Sequence, residues 1–211
     1  MNRAMILLLQ ILIAVAGLAL WHVMSTTHLF GDPKTLAFFF STPGAVVQRI
    51  IEWFSDHSIW MHLGITLLEA SLAFVIGSAG GVLIGFWFAR KPLLAAAFDP
   101  YVKAANALPR VVLAPIFALW LGLGIWSKVA LGVTLVFFIV FFNVYQGVKE
   151  VSPVVLANAR MLGASARQLL RHVYLPSATS WVFSSLHTSV GLAFVGAVVG
   201  EYLGSSQGVG Y

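Results

Sequence analysis

Residues 129–148 read VALGVTLVFFIVFFNVYQGV, twenty positions without one acidic or basic side chain. An α-helix rises about 1.5 Å per residue, so a run of this length covers roughly 30 Å, the thickness of a bilayer's hydrocarbon core. A helix that is apolar on nearly every side belongs either in the interior of a large protein or in lipid. The composition of the 211-residue chain decides between the two. Hydrophobic residues make up 60% and charged residues 9%, with a mean hydropathy of +0.93. A soluble domain carries about a quarter charged residues. So few charges cannot cover a water-facing surface, whereas a lipid-facing surface needs almost none. The sequence therefore describes an all-α, polytopic helical membrane protein.

Working outward, four more stretches have the composition of a span: Met5 to Met24, about Met61 to Ala89, about Val111 to Leu123 (short, and extendable backward through Leu108), and about Trp181 to Val199. That gives about five spans. Trp21, Trp53, Trp60, Trp120, Trp126 and Trp181 fall near predicted span ends, where interfacial aromatics belong. The first run follows Arg3 and resembles a signal peptide only superficially. Its small-residue triplet, Ala14-Val15-Ala16, lies inside the apolar run instead of after it, which predicts an uncleaved membrane helix.

The connections differ in character. Ser25 to Trp60 reads as a long external loop. Within it Val46, Val47, Ile50, Ile51 and Phe54 fall on one helical face, with Ser41 or Thr42 as a cap before Pro43, so a short amphipathic helix at the membrane surface is expected. Residues 1–60 thus form an N-terminal span and external loop, and residues 61–211 a core. With the N-terminus inside, the cytoplasmic segments carry Arg3, Arg90, Lys91, Lys103, Arg110, Lys149, Arg160, Arg167 and Arg171, nine of the twelve basic residues; the outside carries Lys34, Arg49 and Lys128. The positive-inside rule therefore places the N-terminus in the cytoplasm. The same distribution explains the net charge of +5 without invoking nucleic acid. Gly77, Gly81 and Gly85, and again Gly196 and Gly200, recur at every fourth position and predict close helix–helix approach.

Several chemistries are excluded. The chain has no cysteine, so neither disulfides nor thiolate sites exist. No two of its six histidines have the i, i+4 spacing of a helical metal site, and no catalytic or metal site is expected. A membrane enzyme would gather carboxylates or histidines at one depth, whereas the seven acids are spread singly. A secondary transporter or channel, the alternative transport class, would show intramembrane charge pairs or inverted repeats, and neither is seen.

The most informative polar segment is 150–176, EVSPVVLANARMLGASARQLLRHVYLP. Ser152-Pro153 starts a short helix. Gly163 breaks it, at a position where a turn favours glycine. Ser165 then caps a second, amphipathic helix, with Gln168 as its capping-box partner. Leu169, Leu170 and Val173 face one way, Arg167 and Arg171 face water, and Leu175-Pro176 ends the helix before the last span. A cytoplasmic helix-turn-helix between two spans suggests a docking surface.

This segment resembles the EAA loop of ABC importer permeases, whose pattern is E-A-A, three residues, Gly, nine residues, Ile-x-Leu-Pro. Here Gly163 is followed by nine residues and Val173-Tyr174-Leu175-Pro176. Ala159 matches the third position of the triplet, while Ala157 stands in place of the Glu and Asn158 in place of the second Ala. Asp99-Pro100, Leu108-Pro109, Ala114-Pro115, Leu119 to Gly124 with Ser127-Lys128, and Ala159 to Ser165 extend the resemblance to the branch that imports sulfonates, taurine, nitrate, bicarbonate or pyrimidine-type vitamin precursors.

The resemblance implies the permease subunit of an ATP-driven importer in a bacterial inner membrane. Ala157, Ala159, Arg160, Gly163, Ala164, Ser165, Leu175 and Pro176 would contact a separate cytoplasmic ATPase. That partner would bind ATP and Mg, since this chain has no Gly-x-x-x-x-Gly-Lys-Ser/Thr and no cofactor of its own. The resemblance further implies a periplasmic or lipid-anchored substrate-binding protein, a permease homodimer, and a sixth helix after Gly208-Val209-Gly210. Asn143, His187 in its Ser/Thr cluster, and Glu201 are the candidate pathway residues, because polar groups at membrane depth are functional by default. Glu69, two turns from His62, reads as a structural acid.

Overall fold

A computed structural model describes residues 3–28 and 31–211, and all regular structure among them is helical. The chain forms two compact units, Met1–Ile59 and Trp60–Tyr211.

In the first unit α1 (Arg3–Thr26) is a single apolar helix with the length of a span. The sequence pattern predicts loop for the following segment up to Pro43, but a helix α2 (Pro33–Phe40) lies within it. Asp32 caps α2 by accepting the Thr35 N–H at 3.2 Å, with Pro33 as its first residue, a local start signal that outweighs the short length. The Trp21 indole donates to the Phe40 carbonyl at 3.2 Å and fastens α2 to α1. The expected amphipathic helix is α3 (Pro43–Ser55), capped by Thr42, which accepts from Ala45 N–H at 3.2 Å. Val47, Ile50, Ile51 and Phe54 are exposed along it.

The second unit is built on α4 (Ser58–Arg90), α7 (Ile125–Lys149) and α10 (Leu175–Gly204). Their core is made of small and β-branched side chains, Ala70, Ala73, Val136, Val140, Val144, Ala193 and Ala197. Such packing brings backbones close, which is how helices associate where lipid supplies no hydrophobic drive. The glycine repeats are the means. Gly77 lies on Val136, Gly81 on Val140 and the Phe137 carbonyl, and Gly85 on Phe141. Gly196 lies on Gly132 and Gly200 on Lys128. Both repeats thus serve packing within the chain.

The order of these contacts fixes the helix directions. Residue numbers rise together along α4 and α7, so the two are parallel; they run oppositely along α7 and α10, where Trp181 meets Gly147 and Gly200 meets Lys128. Arg90 and Lys149 therefore lie at one end of the bundle, and Ile125 and Gly204 at the other. The chain between Arg90 and Ile125 must traverse the bundle once.

It does so in two pieces. The sequence predicted one span over 111–123, extendable backward through Leu108. The structure instead has α5 (Pro92–Ala107) and α6 (Arg110–Leu121), bent by 91° at Leu108-Pro109. Residues preceding proline are forced toward extended backbone, and Leu108 has ψ 132°. The twelve residues of α6 rise only about 18 Å, too little to cross alone. Among the described residues four single helices have the length and composition of a span, and counting α5 and α6 as one broken span makes five.

Candidate functional site

At the Arg90/Lys149 end the chain leaves the bundle and forms the segment singled out above. Helix α8 (Pro153–Met161) starts behind Ser152. Gly163 has φ +79°, and its amide donates to the Arg160 carbonyl at 2.9 Å, which closes the turn. The left-handed backbone is what glycine supplies at a helix end. Ser165 and Gln168 make the reciprocal capping box at the start of α9 (Ala166–Leu169): Gln168 N–H donates to Ser165 Oγ at 3.3 Å, and Ser165 N–H to Gln168 Oε1 at 2.8 Å. Leu169 is buried, Leu170 and Val173 half-buried, Arg167 and Arg171 exposed, as the amphipathic pattern requires.

Leu175-Pro176 does not end this helix. After a π-helical turn, Leu170–Tyr174, the chain passes directly into α10, whose first turn contains Leu175 and Pro176. Leu175 N–H bonds the Leu170 carbonyl, five residues back. Proline in an α-helix clashes with the carbonyl four residues earlier, and the wider turn relieves that clash without breaking the helix. Segment 150–176 is consequently continuous with a helix long and apolar enough to span a membrane.

The surface it offers is apolar at its tip. Met161 and Leu162 are 85% and 88% exposed, and Val154 and Val155 are also open. Ala157, Arg160, Gly163 and Ser165 are exposed, and Ala159 and Ala164 half-buried. Ala159, Leu162, Gly163, Ala164, Gln168 and Leu169 line a shallow groove between the two helices. Leu175 and Pro176 lie behind it, at the root of α10.

The candidate pathway residues do not converge. Asn143, half-buried on α7, donates to the Ile139 carbonyl at 2.8 Å. His187 is exposed on α10, on a face it shares with Ser180, Ser184, Thr188 and Gly191. Glu201 lies at the far end of α10 and is 1% exposed. It does not mark a helix end in water: it accepts the Thr66 hydroxyl at 2.6 Å and the Gly210 N–H at 2.8 Å.

Three residues that the sequence pattern does not connect with Glu201 are its neighbours. Glu69, 1% exposed, stands beside it with Oε2 buried and unpartnered. Thr66 bridges it to α4. Lys128 was counted in an external loop; it is 2% exposed in the first turn of α7 and donates to the Leu123 and Gly124 carbonyls. A lysine just inside an apolar run reads as a flanking charge, and only the helix directions bring it to two acids. Arg110 was counted as cytoplasmic. Its guanidinium lies 4.9 Å over the Phe138 ring, halfway along α7, and donates to Asn106 O and Oδ1 at 2.6 Å and Leu108 O at 2.7 Å. It closes the carbonyls left open where α5 ends.

Comparison with known proteins places this geometry. A family model described as the binding-protein-dependent transport system inner membrane component matches residues 81–211, from the last third of α4 through segment 150–176 and α10. The chain belongs to this family. It is 32% identical to the formylaminopyrimidine transport permease protein ThiX of Halalkalibacterium halodurans, over 92% of this chain and 75% of that one. A probable ABC transporter permease protein of Haemophilus influenzae is 31% identical over 97% of this chain and 81% of its own length. A putative aliphatic sulfonates transport permease, SsuC of Bacillus subtilis, is 29% identical over 95% and 71%. This permease is accordingly a multi-pass membrane protein and a transport subunit of an ABC importer, not an enzyme.

Proposed function

We propose that this permease couples to a cytoplasmic ATPase through Ala157, Ala159, Arg160, Gly163, Ala164 and Ser165, with Leu175 and Pro176 carrying the movement into α10. The observation behind this is the exposed apolar tip, Met161 and Leu162, on a helix pair whose second helix runs through a π-turn into a span. Apolar side chains this exposed beside a groove mark a contact surface. The ATPase binds ATP and Mg, and nucleotide-driven closure of two ATPase subunits brings two such segments together. The N-terminus and residues 150–176 are cytoplasmic in this reading.

The permease acts as a homodimer receiving cargo from a periplasmic or lipid-anchored binding protein. The polar face Ser180, Ser184, His187, Thr188 on α10 supports a partner or water, not lipid, on that side, and His187 and Asn143 line the pathway. Glu201 acts at the mouth of that pathway. The cargo is a small anion such as a sulfonate, taurine or nitrate, or a vitamin precursor, the cargoes in the relatives' names. The reading is tested by ATP-dependent uptake into proteoliposomes holding permease, ATPase and binding protein. His187→Ala should lower uptake at least several-fold while leaving ATPase association intact. Unchanged uptake would remove His187 from the pathway.

A further inference from the structure

The end of the bundle opposite the docking segment is closed by backbone. Residues 205–211 fold back over the ends of α10 and α4, and three successive amides are each taken by a side chain. Gly208 N–H donates to His62 Nδ1 at 3.0 Å, Val209 N–H to Thr66 Oγ1 at 2.9 Å, and Gly210 N–H to Glu201 Oε2 at 2.8 Å. The Thr66 hydroxyl, while accepting from Val209, donates to Glu201 Oε1 at 2.6 Å. The Tyr211 ring stacks on His62 with centroids 6.3 Å apart.

Both glycines are required by the fit. Gly208 has φ +111°, and a Cβ there would strike the Glu201 carboxylate; a Cβ on Gly210 would strike the Val198 carbonyl. Both carboxylate oxygens of Glu201 are thus spent on the strap and on α4. Hydrogen bonds in a dry site are electrostatically stronger than the same bonds in water. Gly208 is buried and Val209 is 37% exposed. The polar hold on the strap is concentrated in a few bonds around one carboxylate, apart from the apolar core, which lies along α4, α7 and α10 nearer their middles.

We propose that Glu201 is the positioning residue of a clasp that joins α4, α10 and the 208–211 strap, holds this end of the bundle shut, and opens in each transport cycle. The proposal rests on the permease reading: closure at the docking end has to be answered by parting at this end for cargo to enter. His62, Thr66 and the two glycines are the clasp's other half.

The absence of cysteine makes a direct test clean. His62→Cys and Tyr211→Cys are combined and bridged with a short cleavable bis-thiol reagent in the complete complex with ATPase and binding protein. Bridging should cut cargo uptake at least tenfold, with the ATPase still bound, and cleaving the reagent should restore it. Uptake indifferent to bridging overturns the clasp. Glu201→Gln gives a second readout that a merely structural role would not move: the ATP hydrolysed per cargo molecule should rise several-fold. If uptake and hydrolysis fall in step, the ratio staying constant, Glu201 is structural only and the proposal is wrong. A complex that hydrolyses ATP but ignores the bridge refutes the clasp alone, whereas an unmodified chain that captures no ATPase refutes the permease reading and the clasp with it.

Discussion

The indole of Trp181 lies on the backbone of Gly147, so closely that a Cβ at 147 would stand 2.6 Å from its Cδ1. This contact joins the end of α7 to the start of α10, just above the docking segment. Gly147→Ala should therefore destabilise the protein by about 1–3 kcal/mol through overpacking. Gly64→Ala, in α4 with nothing within 4 Å of its added Cβ, should be neutral or stabilising by up to about 1 kcal/mol. Thermal unfolding of the two variants in detergent checks the opposite signs, and a Gly147→Ala protein as stable as wild type would show that the indole has room to move.

Lys128 brings a positive charge to the buried acids Glu69 and Glu201. Lys128→Met keeps much of the volume and removes the charge. The Lys128 ammonium donates to the Leu123 and Gly124 carbonyls, and leaving those acceptors without their charged donor costs about 1–3 kcal/mol, so the folded, monodisperse fraction after extraction should fall. Glu52→Gln, whose exposed partner Arg49 lies 3.4 Å away on α3, should change stability by under about 1 kcal/mol. Equal yields for the two variants would contradict the cluster's role.

The capping box of Ser165 and Gln168 holds a helix of only four residues. Ser165→Ala should cost about 1 kcal/mol locally. Hydrogen exchange read by mass spectrometry should speed up over residues 166–170 and remain unchanged in α7. Unaltered exchange at 166–170 would mean that the π-turn and α10, not the cap, set the order of this segment.

Much of this was legible in the sequence, and the reason differs from element to element. Spans declare themselves through apolar length, as residues 129–148 do, because lipid imposes one requirement on every residue. The turn at Gly163 and the cap at Ser165 were legible because both are decided within four residues. What escaped depends on distance. Pro176 reads locally as a helix stop, but a wide turn lets the helix run through it. Arg110 reads as a flanking charge until the 91° bend brings it over Phe138. Lys128, Thr66 and Glu201 are separated by up to 135 residues, and no local pattern signals that two parallel helices and an antiparallel third bring them together.

The exposed pair Met161 and Leu162 should be the anchor of the docking surface. Hot-spot side chains at interfaces cost about 2 kcal/mol or more when lost, so Leu162→Glu should weaken ATPase association at least thirtyfold without lowering the permease's thermal stability. Titration of labelled ATPase against detergent-solubilised permease measures this, and an unchanged affinity would move the contact elsewhere on the segment.

The central claim, that residues 150–176 dock a cytoplasmic ATPase, is tested most directly by co-purification from mild detergent. Proline cannot adopt the φ of +79° found at Gly163, and no side chain packs against that residue, so Gly163→Pro distorts the turn and leaves the spans untouched. An ATPase subunit that co-purifies with the wild-type chain and is lost from a folded Gly163→Pro variant is the predicted result. A folded wild-type chain that captures no ATPase, or a variant that retains it in full, would contradict the claim.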